Sequence, residues 1–65
     1  MKLWTYLGKN VYIEFRDGSK STGKVIDYDD EVDNASGEDS IMIEIESGIS
    51  FDVDESEIKL IEIID

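Results

Sequence analysis

Val11-Tyr12-Ile13-Glu14-Phe15-Arg16-Asp17-Gly18-Ser19 is the stretch on which the fold turns. Val11, Ile13 and Phe15 alternate with Tyr12, Glu14 and Arg16, the period of a strand with one buried and one wetted face. Asp17-Gly18-Ser19 then supplies a turn, because glycine accepts positive φ and aspartate can bond its own following backbone. A hairpin is therefore predicted, returning along Lys20 to Tyr28 through Thr22, Val25, Ile26 and Tyr28. Gly23 in the middle of that return predicts a bulge or sharp bend, as a small barrel needs to close.

Outward from this hairpin the same period recurs. Ile41, Ile43 and Ile45 alternate with Met42, Glu44 and Glu46; Ser47-Gly48 turns the chain; and Ile49, Phe51 and Val53 alternate with Ser50, Asp52 and Asp54. Asp54-Glu55-Ser56-Glu57 reads as a short turn with room for one helical turn. The run from Ile58 to Ile64 is apolar on both faces, with Ile58, Leu60 and Glu62 expected on one side and Ile61 and Ile63 on the other. Such a strand is either covered twice or left as an adhesive edge, which makes Ile58, Leu60, Ile61 and Ile63 a candidate self-association edge. Before the first strand, Leu3-Trp4-Thr5-Tyr6-Leu7 ends at Gly8 and suits a short helix, with Leu3 and Leu7 sharing a face at i, i+4. The expectation is a mainly β protein, one domain over residues 1–65: a short N-terminal helix, then a five-stranded, strongly bent barrel of the SH3-like or Sm-like kind.

Composition narrows the chemistry. Without cysteine or histidine there is no disulfide, thiolate nucleophile, Cys-based zinc site or imidazole base. Any two of the many carboxylates could be posed as an acid–base pair, but nothing in the spacing selects one. A non-catalytic protein with no cofactor is expected. Seventeen acidic against six basic residues give a net charge of −11, which opposes gripping nucleic-acid phosphates through the bulk field. The charge is split unevenly. Residues 1–24 carry Lys2, Lys9, Arg16, Lys20 and Lys24 against Glu14 and Asp17, a net of +3, whereas residues 25–65 carry only Lys59 against fifteen acids, a net of −14. Strands of the two parts could neutralise each other within one chain, or a basic edge of one copy could meet an acidic edge of the next. A core this small supplies only about 3–5 kcal/mol, so self-association is a reasonable further source of stability. No apolar run is long enough for a bilayer, which leaves no membrane role and a cytoplasmic address as the expectation.

Leu7-Gly8-Lys9-Asn10-Val11-Tyr12-Ile13-Glu14-Phe15-Arg16-Asp17-Gly18, followed by Gly23-Lys24-Val25 and Tyr28, resembles the first motif of the Sm-like proteins over roughly residues 7–46. The resemblance implies an RNA-contacting loop after the second strand, onto which Tyr28, Asp30 and Asn34 fall, with Asp33 where the family places a residue that stacks on a base. The family's second motif is absent, and Asp54-Glu55-Ser56-Glu57 stands in its place. The resemblance also implies rings, in which one protomer's last strand pairs with a neighbour's fourth.

Two further patterns bear on ligand chemistry. Asp27, Asp29, Glu31 and Asp33 alternate, and Glu38 is twelfth from Asp27, as in a calcium loop. Val32 occupies the position of the central glycine, which favours a solvated acidic loop over a metal site. Trp4, Tyr6, Tyr12 and Tyr28 could form an aromatic binding patch, although in a small barrel they more often complete the core or its rim. Three functions follow in order: a binding or assembly module acting on itself or a protein partner; an acidic mimic of nucleic acid occupying the site of a DNA- or RNA-binding protein; and a divergent Sm-like RNA binder.

Overall fold

A computed structural model describes residues 2–32, 34–35 and 37–65. It contains five strands: β1 (Asn10–Phe15), β2 (Lys20–Asp29), β3 (Ser40–Glu44), β4 (Ser50–Asp54) and β5 (Ile58–Ile63). They form one antiparallel sheet in the order β4-β3-β2-β1-β5. The protein is mainly β, and the sheet curls into a barrel-like shape without closing, since β4 and β5 remain at its two edges.

The first hairpin forms as the alternation dictates. Val11 and Ile13 are buried, and Gly18 takes φ +94° at the turn. The Asp17 carboxylate accepts bonds from the Ser19 backbone N–H (2.8 Å) and hydroxyl (2.6 Å), which hold its pKa below the usual carboxylate value. At the second hairpin Gly48, at φ +87°, donates to the Ile45 carbonyl, and Ile45 donates to that of Ile49.

β2 is the long strand that makes the curl. Residues Lys20 to Lys24 pair with β1, and Lys24 to Asp29 pair with β3. The predicted irregularity is present, but the extra residue is Ile26, between Val25 and Asp27, and not Gly23. Gly23 has a different task. A Cβ there would lie 2.5 Å from Ile43 Cγ2 and 2.7 Å from the Glu44 carbonyl oxygen, so its bare backbone lets β3 fold closely over β2. The curl encloses a core of Leu3, Val11, Ile13, Val25, Ile41, Ile43, Val53, Ile58 and Ile61, with Tyr6, Phe15, Tyr28, Ile45 and Phe51 packed against it.

Two expectations of facing are corrected. The N-terminal helix is a single 3-10 turn, Leu3–Tyr6, and Leu3 does not share its face with Leu7. Three residues per turn put Tyr6 in line with Leu3, while Leu7, already extended at ψ 128°, is half exposed. On β5, Ile58 does not share a face with Leu60. Phe15 pairs with Ile58 and Glu14 with Leu60, so Lys59 is an extra residue that reverses the alternation. Ile58 and Ile61 both enter the core, and Leu60 faces out.

A second 3-10 turn, Glu55–Glu57, crosses from β4 to β5. The Glu55 N–H donates to the Asp39 carbonyl, and the Arg16 N–H donates to that of Glu57 (both 2.9 Å). This short crossing therefore ties the β2–β3 loop to the end of β1.

Candidate assembly edges and acidic loop

At β5, the candidate edge divides into two kinds of residue. Ile58 and Ile61 are buried within the protomer, whereas Leu60 (37% exposed) and Ile63 (49%) are open to solvent. Ile63 lies opposite Val11 on the core side of the sheet, and Leu60 lies opposite Glu14 on the outer side. Lys59 is exposed at the bulge between Ile58 and Leu60.

The other edge, β4, is not marked by its sequence. Val53 is buried and Phe51 half-buried on the core side, where Ile49, just before the strand, is 61% exposed. Ser50, Asp52 and Asp54 occupy the alternate positions. Only the sheet order reveals β4 as an edge, because alternation says which way a side chain faces and not which strand lies beside it.

On the side away from the core, the register sets Asp52 beside Met42 and Met42 beside Asp27; in the next row, Asp54, Ser40 and Asp29, Ser40 is buried beneath the Asn34 amide and the Asp54 carboxylate accepts from the Glu57 N–H. The basic part of the chain meets the acidic part through neighbouring strands. Lys24 on β2 lies opposite Glu44 on β3, and Lys9 and Lys24 contribute to holding the Asp65 carboxyl below its usual pKa. The larger cause there is the bonds Asp65 accepts from the Asn10 side chain (2.6 Å) and backbone (3.0 Å).

The acidic loop is bound to the body. Glu38 accepts from the Ser56 N–H (2.7 Å) and hydroxyl (3.0 Å), and Arg16 Nε donates to the Ser56 carbonyl (2.9 Å). Asn34 Nδ2 donates to the Glu38 carbonyl (3.0 Å) and the Ser40 hydroxyl (2.6 Å), so this amide closes the loop on itself. Asp30 accepts from the Val32 N–H (3.1 Å). Tyr28 is half-buried, with the Trp4 ring edge-on at a centroid distance of 6.3 Å. Burial raises the Tyr28 pKa, helped by its hydrogen bond to Asp39 and by the charges of Asp39, Asp30 and Glu31. The structure thus sets Tyr28 near enough to Asp30 to feel its charge and commits Asn34 to the loop; Asp33 lies outside the described residues.

The four aromatic residues do not form one patch. Tyr6 packs against the core, Trp4 lies against Tyr28, and the Tyr12 hydroxyl donates to Glu14 (2.8 Å), the main cause of its raised pKa. Among the described residues no three carboxylates gather as a metal would require. No helix among them is long and apolar enough to cross a membrane. A groove of about 560 Å³ opens where Phe15 and Phe51 approach, rimmed by Arg16, Asp17 and Ser56.

Comparison with protein-family models, curated proteins and solved structures finds no match for this chain.

Proposed function

We propose that this protein is a non-catalytic assembly module of the Sm-like kind, in which the β5 edge of one copy adds to the β4 edge of the next. The supporting observation is a sheet with both edges open, each offering a solvent-exposed isoleucine, Ile49 or Ile63, on its core-facing side. Open strand edges carry unpaired main-chain donors and acceptors, and an apolar side chain beside them adds burial to the pairing. A protomer whose core holds nine buried apolar residues among the described ones gains stability from that contact. Sedimentation of the purified chain across micromolar concentrations tests the reading: a defined oligomer is expected, and a monomer throughout removes it.

A second reading, an acidic mimic of nucleic acid, draws on the rows of Asp27, Asp29, Asp52 and Asp54 across the outer side of β2, β3 and β4. It requires a monomer that takes a basic nucleic-acid-binding protein from nuclease-treated lysate and releases it with salt.

A further inference from the structure

We propose that the groove between Phe15 and Phe51 takes a lysine side chain presented by an extended basic segment of a partner protein, with its stem against the two rings and its ammonium at the Asp17 and Glu57 carboxylates. This goes beyond the assembly reading and does not depend on it. The groove lies where the end of β1, the β1–β2 turn, β4 and the crossing turn Glu55–Glu57 converge. Phe15 and Phe51 are half-buried, packed on the core yet lining the groove, so both rings offer it apolar surface. At about 560 Å³ it has the size of a pocket for one long side chain and the backbone beside it.

Charge selects the occupant. Asp17 and Glu57 reach the rim from different turns, and each makes its local bonds through one oxygen: Asp17 Oδ1 accepts from Ser19, and Glu57 Oε1 accepts from the Asp54 N–H (3.1 Å). Each carboxylate therefore keeps a second oxygen for a ligand. Arg16, the one cation among the described residues of the rim, is drawn onto the crossing turn, where its backbone N–H donates to the Glu57 carbonyl and its Nε to that of Ser56 (both 2.9 Å). Two anions thus stand beside one committed cation, in a molecule of net charge −11 whose field draws basic partners inward. An anionic group is repelled there. A purely apolar side chain would strip water from the carboxylates without replacing its hydrogen bonds. A lysine meets both demands, because its methylene stem covers ring surface and its ammonium gains from the ring faces and donates to carboxylate oxygens. Its compact head can be shared by carboxylates on two turns, whereas a planar guanidinium matches one carboxylate at a time.

Two end-blocked pentapeptides of glycine and alanine, one with lysine at its centre and one with norleucine, differ only in the ammonium group. Each is titrated into isotope-labelled protein in dilute buffer and followed amide by amide by NMR. The lysine peptide should shift the Asp17, Ser19 and Ser56 amides saturably with a Kd of about 1 mM, and the norleucine peptide should not. Asp17→Asn with Glu57→Gln keeps the local bonds, since an amide oxygen also accepts, and should weaken lysine binding roughly fivefold. Glu46→Gln with Glu62→Gln removes the same charge from exposed positions outside the groove and should leave the affinity within about twofold. Phe51→Leu keeps an apolar side chain on the core, removes the ring and should also weaken binding. Equal losses in the two double variants would reduce the attraction to the net field, and equal binding of norleucine would make the groove a plain apolar cleft; either result overturns the proposal. Unchanged affinity in Phe51→Leu removes the groove as the place of binding. Groove amides that shift when the protein alone is diluted would assign the site to a second copy, which overturns it as well.

Discussion

At Gly23, what is missing shapes the barrel. The space a Cβ would need is occupied by the Ile43 methyl and by the Glu44 carbonyl oxygen, and backbone cannot swing aside as a flexible side-chain tip can. Gly23→Ala therefore has to push β3 away from β2, and overpacking of this kind costs about 1–3 kcal/mol. Urea unfolding of the two proteins under matched conditions checks this; an equal or higher midpoint for the alanine variant would show that β3 can retreat without loss. A glycine inside an alternating strand announces a special position but not which one. Ile26, three residues on, carries the extra residue of the bulge, and nothing in its side chain marks it. The Asn34 amide is similar. Its type and spacing point to an RNA loop by resemblance, while its bonds to Glu38 and Ser40 show how it orders the loop it sits in.

Among the elements, β5 departs furthest from its pattern. Strict alternation would put Ile58 and Leu60 together; the bulge at Lys59 instead places Ile58 in the core and turns Leu60 outward. The two positions should therefore respond differently to truncation. Ile58→Ala empties a fully buried site and should cost about 2–5 kcal/mol, comparable with the whole stability of so small a core, whereas Leu60→Ala should cost less than about 1 kcal/mol. Thermal melts at low concentration, where association does not contribute, separate the two. Similar losses at both sites would mean that β5 pairs without the bulge. The turn Glu55–Glu57 also makes sense at this scale: three residues suffice to cross from β4 to β5 because Asp39 and Arg16 anchor its two ends through the backbone.

For the whole molecule, the net charge of −11 leaves a surplus of carboxylates that cations relieve only locally, as Lys24 does opposite Glu44 and Lys9 and Lys24 do near Asp65. Added salt screens what remains, so the melting temperature at pH 7 should rise with sodium chloride; a flat response would mean that local pairing already balances the field. Acid acts through particular groups. Asp17 and Asp65 both titrate below their usual value in the folded protein, chiefly because each accepts hydrogen bonds as an anion. The stability they contribute is present above the unfolded value of about 3.9 and is lost as pH falls through the lower folded values. Thermal melts between pH 5 and pH 2.5 should show that loss, and Asp17→Ala/Asp65→Ala should make the decline shallower. A double variant with an unchanged acid profile would assign the acid sensitivity to other groups.

The sequence by itself determined that this is a mainly β chain with hairpins at Asp17-Gly18-Ser19 and Ser47-Gly48, since side-chain period and turn chemistry are local properties that survive in any tertiary setting. It likewise determined the core-facing sides of β1, β3 and β4. Tertiary structure alone decided that the sheet runs β4-β3-β2-β1-β5, that Ile26 and Lys59 are the extra residues, and that Ile49 and Ile63 come to stand on opposite open edges. The reason is physical. Alternation records which face of a strand meets the core, but strand order, bulge position and edge exposure arise from packing between segments distant in the chain, where a single inserted residue reverses every side chain beyond it.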